Sequence, residues 1–94
     1  MSSEYVLSQN YPNPFNPTTT IKVGLSRATH AMLTVYNVLG AKVATLMDGD
    51  YPPGVYDVTW EGKDEHGREL AGGIYIYRLQ TAEFTSVKKM ILLK

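Results

Sequence analysis

The apolar residues of this chain recur at every second position, and no stretch sustains helical spacing. Successive side chains of an extended strand point to opposite faces of a sheet, whereas those of a helix return to one face after about 3.6 residues. Sustained alternation therefore restricts the chain to strands that bury one face. Roughly seven strands are expected: Tyr5 to Ser8, Thr18 to Leu25, Ala31 to Tyr36, Lys42 to Met47, Val55 to Glu61, Ile74 to Thr81 and Phe84 to Leu93. Ile21, Val23 and Leu25 share one face, as do Ala31, Leu33 and Val35. Tyr56, Val58 and Trp60 form a third such set, and Tyr75, Tyr77 and Leu79 a fourth. Short strands divided by turn residues predict an all-β antiparallel sandwich.

The breaks carry their own chemistry. Pro12, Pro14 and Pro17 remove backbone donors and fix φ, so the segment from Asn10 to Pro17 cannot lie inside a sheet. A rigid extended corner is expected there, with Phe15 tucked into the end of the core. Gly40 suits a left-handed turn position after Asn37-Val38-Leu39. Asp48-Gly49-Asp50, Pro52-Pro53-Gly54 and Asp64-Glu65-His66-Gly67 also read as turns, with Asp64 capping its own loop.

Size and composition bound the function. A chain of 94 residues holds one domain. At this length about two-thirds of the unfolded surface is buried, which leaves little room for a deep cleft. The formal net charge is zero and the cations are scattered, so nucleic-acid binding is disfavoured. No apolar run is long enough to cross a membrane as a helix, and Met90-Ile91-Leu92-Leu93 is far too short. Cysteine is absent, which excludes disulfides, thiolate zinc sites and thiol catalysis. Met1-Ser2-Ser3 lacks the basic and apolar build-up of a signal peptide, so an export signal is expected upstream.

Catalytic and metal chemistry is thin. His30 and His66 are the two histidines, and no nucleophile-elbow pattern accompanies them. Both read as surface residues. The carboxylates, among them Asp48, Asp50, Asp57, Glu61, Asp64, Glu65 and Glu69, read mostly as turn residues and not as an acid–base pair. Asp48-Gly49-Asp50 lacks the further acceptors of a calcium loop. No enzyme activity, cofactor or metal is expected. Sugar binding would need exposed coplanar aromatics. Tyr56, Trp60, Tyr75 and Tyr77 alternate with core positions instead, leaving Tyr11 and Tyr51 in the Pro-rich loops as the exposed candidates. The last strand, Val87 to Lys94, is apolar and studded with Lys88, Lys89 and Lys94. It reads either as a protected sheet edge or as a handle for strand addition by a partner.

Several segments in order carry a family resemblance: Leu7-Ser8-Gln9-Asn10-Tyr11-Pro12-Asn13-Pro14-Phe15-Asn16-Pro17, then Leu33-Thr34-Val35-Tyr36-Asn37-Val38-Leu39-Gly40 with Lys42 and Val43, then Trp60-Glu61-Gly62 with Asp64 and Gly67. Leu70-Ala71-Gly72-Gly73-Ile74-Tyr75-Ile76-Tyr77-Arg78-Leu79 and the closing Lys89-Met90-Ile91-Leu92-Leu93-Lys94 complete the set. The chain resembles the type A C-terminal sorting domain of the Bacteroidetes type IX (Por) secretion system, a group close in sequence to the immunoglobulin-like domain of the flagellar hook-capping protein. The resemblance implies an immunoglobulin-like sandwich over residues 5–94, preceded by expression-derived or linker residues 1–4. It implies a non-catalytic tag behind a passenger protein, recognised in the periplasm by the outer-membrane type IX translocon and removed by a sortase-like peptidase. The passenger would be secreted or held at the cell surface. By the same resemblance Lys89, Met90, Ile91, Leu92, Leu93 and Lys94 form the terminal motif, Gly40, Lys42 and Val43 the middle one, and Gly73 and Tyr75 another; Asn13 and Pro14 join the recognition set. Two further readings stay open at this point: an immunoglobulin-like structural module of an extracellular or flagellar assembly, and a carbohydrate-binding accessory module of a secreted hydrolase. The terminal strand could also pair with a second copy.

Overall fold

The structure is a computed structural model, and it describes residues 5–94. Residues 1–4, read above as expression-derived or linker sequence, lie outside the described residues. Seven strands follow in chain order: β1 (Val6–Leu7), β2 (Thr19–Leu25), β3 (Thr29–Tyr36), β4 (Lys42–Tyr51), β5 (Gly54–Trp60), β6 (Gly73–Gln80) and β7 (Thr85–Leu92). Every pairing between them is antiparallel. A three-stranded sheet in the order β1-β2-β5 faces a four-stranded sheet in the order β4-β3-β6-β7. This is the all-β, immunoglobulin-like sandwich that the alternation and the resemblance imply.

The inward sets are the ones that the alternation marks. Ile21, Val23 and Leu25 of β2 meet Ala31, Leu33 and Val35 of β3 and Tyr77 and Leu79 of β6, all buried. Each fully buried aliphatic side chain contributes about 1.5–3 kcal/mol. Shifting any strand by one residue would turn its whole set to water, so the core also fixes the register.

The molecule is elongated, with extents of 42 × 22 × 20 Å, and the register sorts its loops into two poles. Tyr5, the β2–β3 connection, Pro52 and Pro53, and the β6–β7 turn lie at one end, the Tyr5 pole. The segment Tyr11 to Pro17, the β3–β4 turn, the loop from Glu61 to Gly72 and residues Leu92 to Lys94 lie at the other, the Lys94 pole.

Three expectations need correction. Asp48-Gly49-Asp50 is not a turn: it continues β4, opposite Met32, Ala31 and His30. β4 is an edge strand whose outer positions face water, so carboxylates are tolerated there and the chain reverses only at Pro52-Pro53. Tyr51 is not a loop aromatic: it closes β4 and packs edge-on to Tyr56 at 5.4 Å. The edge of the last strand is only half open, because the Pro-rich segment already pairs with its end.

Candidate functional site

The Lys94 pole gathers the residues singled out from sequence, and its construction begins with two core tyrosines. Burial raises the pKa of both hydroxyls, so they remain protonated donors at neutral pH. The Tyr77 hydroxyl donates to the Ser8 carbonyl at 2.7 Å and accepts from the Asn10 N–H at 2.8 Å. It thereby ties β6 of one sheet to the chain leaving β1 of the other. The Tyr75 hydroxyl donates to the Ala71 carbonyl at 2.6 Å and pins the loop that enters β6. This is the local backbone bond expected of a corner tyrosine in an immunoglobulin-like fold.

From Asn10 onward the chain becomes a strap. The Asn10 amide donates to the Pro12 carbonyl and to Thr19 Oγ1, which itself donates to the Pro12 carbonyl. These bonds turn the strap outward and stiffen it where proline leaves no N–H to bond. Phe15 then re-enters the core at 1% exposure. Its ring lies 5.8 Å from Trp60, which lies 5.6 Å from Tyr75. Trp60 Nε1 donates to the Lys63 carbonyl at 2.9 Å, so the same aromatic cluster holds the β5–β6 loop.

The strap closes over the outer edge of β7. Asn13 Oδ1 accepts from the Ile91 N–H at 2.9 Å, and Phe15 forms a short parallel bridge beside Leu92. Within it the Phe15 N–H donates to the Ile91 carbonyl at 2.9 Å and the Leu93 N–H to the Phe15 carbonyl at 2.8 Å. Gln9 Nε2 donates to the Lys89 carbonyl at 2.7 Å. The outward N–H and carbonyl of Ile91 and the N–H of Leu93 are therefore satisfied within the chain. A partner strand cannot add there without displacing the strap, whereas the edge from Thr85 to Val87 lies beyond these bonds.

The expected recognition residues divide by burial. Asn13, Pro14, Lys89, Ile91, Leu93 and Lys94 are exposed around the strap and the end of β7. Met90 and Leu92 are core residues at 0% and 2% exposure and offer a partner nothing while the domain is folded. Lys94 is exposed, yet its Nζ lies 3.1 Å from Glu69 Oε1, and its side chain crosses Gly72 so closely that a Cβ there would sit 3.1 Å from Lys94 Cβ. Gly40 takes φ +84° with open space where a Cβ would stand, and Lys42 is exposed beside it. Asn37 Oδ1 holds that turn through the N–H groups of Leu39 and Ala41. Gly40 and Lys42 thus share the pole but are separated from β7 by β3 and β6, on the order of 10–14 Å at ordinary strand spacing.

The remaining candidates lie apart from this construction or within it as framework. Asp64 caps its loop by accepting from the N–H groups of Arg68 and, less strongly, His66, which holds its carboxyl below the usual range. Sequence reasoning missed the partners of His30. Both of its ring nitrogens meet carboxylates, Asp50 and Asp48, each at 3.0 Å on the exposed outer face toward the Tyr5 pole. Their alternation opposite a strand histidine was the available signal. Trp60, Tyr75 and Tyr77 are buried and Tyr56 is half-buried, so they form no exposed aromatic row; Tyr11, 81% exposed, stands alone.

Comparison with protein families matches residues 9–83 to the model described as the FlgD Ig-like domain. Among solved structures, dimeric latent PorU from Porphyromonas gingivalis aligns with a TM-score of 0.72 at 18% identity, over 95% of this chain and 9% of that one. PorZ, an essential surface component of the type-IX secretion system of the same bacterium, aligns with a TM-score of 0.64 at 15% identity, over 92% of this chain and 11% of that one. The chain thus spans about a tenth of each of these proteins, and at such identities the likeness is one of fold. Curated proteins give no match.

Proposed function

The chain belongs to the FlgD Ig-like domain family, and from that premise we propose that it is a C-terminal sorting domain that directs an upstream passenger through the outer-membrane type IX translocon. In this reading the domain performs no chemistry. The passenger reaches the periplasm by the general route, the translocon recognises the folded domain, and a sortase-like peptidase removes it as the passenger reaches the surface or medium. The motif resemblance supports the reading, as does a fold shared with segments of PorU and PorZ. The observation that carries it is polar: the exposed members of the terminal and middle motifs and of the strap stand at one end of a 42 Å molecule, with Tyr5 at the other. A passenger joined ahead of Tyr5 would leave that end projecting toward a receptor.

The test is export of a periplasm-directed fluorescent protein fused ahead of this chain in a bacterium carrying the type IX system. Deleting Lys89 to Lys94 would also remove Met90 and Leu92 from the core. A second variant therefore replaces only Lys89, Ile91, Leu93 and Lys94 with Ser. Fluorescence at the surface or in the medium with the native chain, and in the periplasm with the folded Ser variant, is the expected result. Retention of the native fusion in the periplasm while its domain is folded would overturn the reading. An immunoglobulin-like structural module is then the better account. One observation favours that alternative: the family match ends at residue 83, before β7, so the shared family does not require the last strand.

A further inference from the structure

The outer face of the β4-β3-β6-β7 sheet is divided in two. Toward the Lys94 pole, Ile74 stands directly opposite Ile91, and Ile76 opposite both Tyr36 and Lys89. Arg78 stands opposite Val87, and Tyr36 opposite Lys42. Directly opposed residues of an antiparallel pair project to the same side. The alternate residues Tyr75, Tyr77 and Met90 are buried between the sheets, so this set faces outward. A solvated sheet face is ordinarily polar at such positions. Here Ile74, Val87 and Ile91 are 45%, 56% and 39% exposed.

Charge singles out the same area. Of the nine Lys and Arg residues, Lys22, Arg27, Lys63, Arg68 and Lys94 form ion pairs. Among the described residues the other four, Lys42, Arg78, Lys88 and Lys89, form none, and three of them lie on this half-face. None of its strand positions is Asp or Glu. The carboxylates of the face, Asp48 and Asp50, lie in the other half and are taken up by His30. The Arg78 guanidinium lies 5.2 Å over the Tyr36 ring and donates to its hydroxyl at 2.7 Å, which fixes one cation beside an aromatic surface.

We infer that this half-face, centred on Ile74, Ile76, Tyr36 and Arg78, docks a protein partner whose contact surface is apolar and bears carboxylates. The inference rests on the sorting reading and widens its recognition surface beyond the terminal motif. Apolar side chains around a fixed Arg–Tyr pair match the composition of the energetic centre of protein interfaces. The unpaired cations call for opposite charge across the contact. A lipid surface fits less well, since interfacial elements ordinarily segregate an apolar face from a Lys/Arg-rich one, whereas here the cations are interleaved with the apolar side chains.

The test uses the fluorescent fusion with substitutions outside Lys89 to Lys94. Ile74→Ser/Val87→Ser and Lys42→Glu/Arg78→Glu are compared with Lys42→Gln/Arg78→Gln and with Lys22→Gln on the opposite sheet. Each purified domain is checked by thermal unfolding. Expected is a drop in export of about tenfold or more for the Ser and Glu pairs, a smaller drop for the Gln pair, and native export for Lys22→Gln. Native export of folded Ser and Glu pairs would overturn the inference and leave the sorting reading standing. Equal losses for the Glu and Gln pairs would overturn the carboxylate partner. Cosedimentation with phosphatidylglycerol vesicles that the Glu pair abolishes would overturn a protein partner in favour of a membrane. Failure of the native fusion to be exported removes both readings together.

Discussion

The two poles of the sandwich are closed by aromatic residues in different ways. At the Lys94 pole, Phe15, Trp60 and Tyr75 form one continuous buried cluster, and Trp60, Tyr75 and Tyr77 spend their polar atoms on loop backbone. At the Tyr5 pole the aromatics come as two separate, half-buried pairs, Tyr5 stacked on Phe84 at 5.5 Å and Tyr51 against Tyr56 at 5.4 Å. Its ion pairs, such as Arg27 with Glu83, are exposed. A buried cluster whose hydroxyls satisfy backbone groups sets loop positions, because each bond left unmade costs free energy. Exposed pairs contribute little and leave their loops adjustable. One pole is built to hold a surface in shape, and the other is suited to being a joint.

Removing an aromatic from each pole should break this comparison most strongly if it is wrong. Phe15→Ala empties a buried site and detaches the strap from β7, and is expected to lower unfolding free energy by about 3–5 kcal/mol. Phe84→Ala at the other pole should cost about 1 kcal/mol, the ordinary scale for a half-buried contact. Urea unfolding of both variants measures the difference. Equal losses would mean that the poles are equally fastened.

Much of this architecture is legible along the chain, and what is not legible has identifiable causes. Alternation places Ile21, Val23, Leu33, Val35, Tyr77 and Leu79 inside because period two decides which face is buried. Phe15 reads as core because its ring carries no polar group, unlike that of Tyr11 in the same segment, which stays 81% exposed. The strap over β7 is not legible: proline says only that a segment is no inner strand, and the pairing of Asn13 with Ile91 spans 78 residues. Asp48-Gly49-Asp50 misleads because local turn chemistry cannot reveal that its strand lies at an edge, where carboxylates are tolerated. The apolar outer face did leave a trace. Ile74-Tyr75-Ile76-Tyr77 is apolar at four successive positions, which a strand with one wet face does not need.

The hydroxyl bonds of the Lys94 pole separate the two fastenings more finely. Tyr77→Phe keeps the ring but leaves the Asn10 N–H and Ser8 carbonyl without their partner, at an expected cost of about 1–3 kcal/mol. Tyr75→Phe frees only the Ala71 carbonyl, closer to water, and should cost about 0.5–1 kcal/mol. Amide exchange on Asn10 should accelerate in the first variant and remain native in the second. Fast exchange in both would show that the strap depends on the corner tyrosine as well.

The smallest expected effect belongs to the Tyr5 half and depends on pH, unlike the tyrosine bonds. Hydrogen bonds that the His30 ring donates to Asp50 and then to Asp48 raise its pKa in the folded state. The folded chain therefore holds this proton more tightly than the unfolded one. The resulting stabilisation is fully present below the unfolded value, near 6.5, and is lost as pH rises through the higher folded value. His30→Asn should accordingly reduce stability relative to the native chain at about pH 5.5 and matter less at about pH 8.5. Unfolding midpoints of both proteins across that interval measure it. High salt should shrink the low-pH difference, because the ring and both carboxylates are exposed. A difference that is flat or grows with pH would mean that the folded ring holds no extra proton, and a neutral imidazole, with a single N–H, can donate to only one of Asp48 and Asp50.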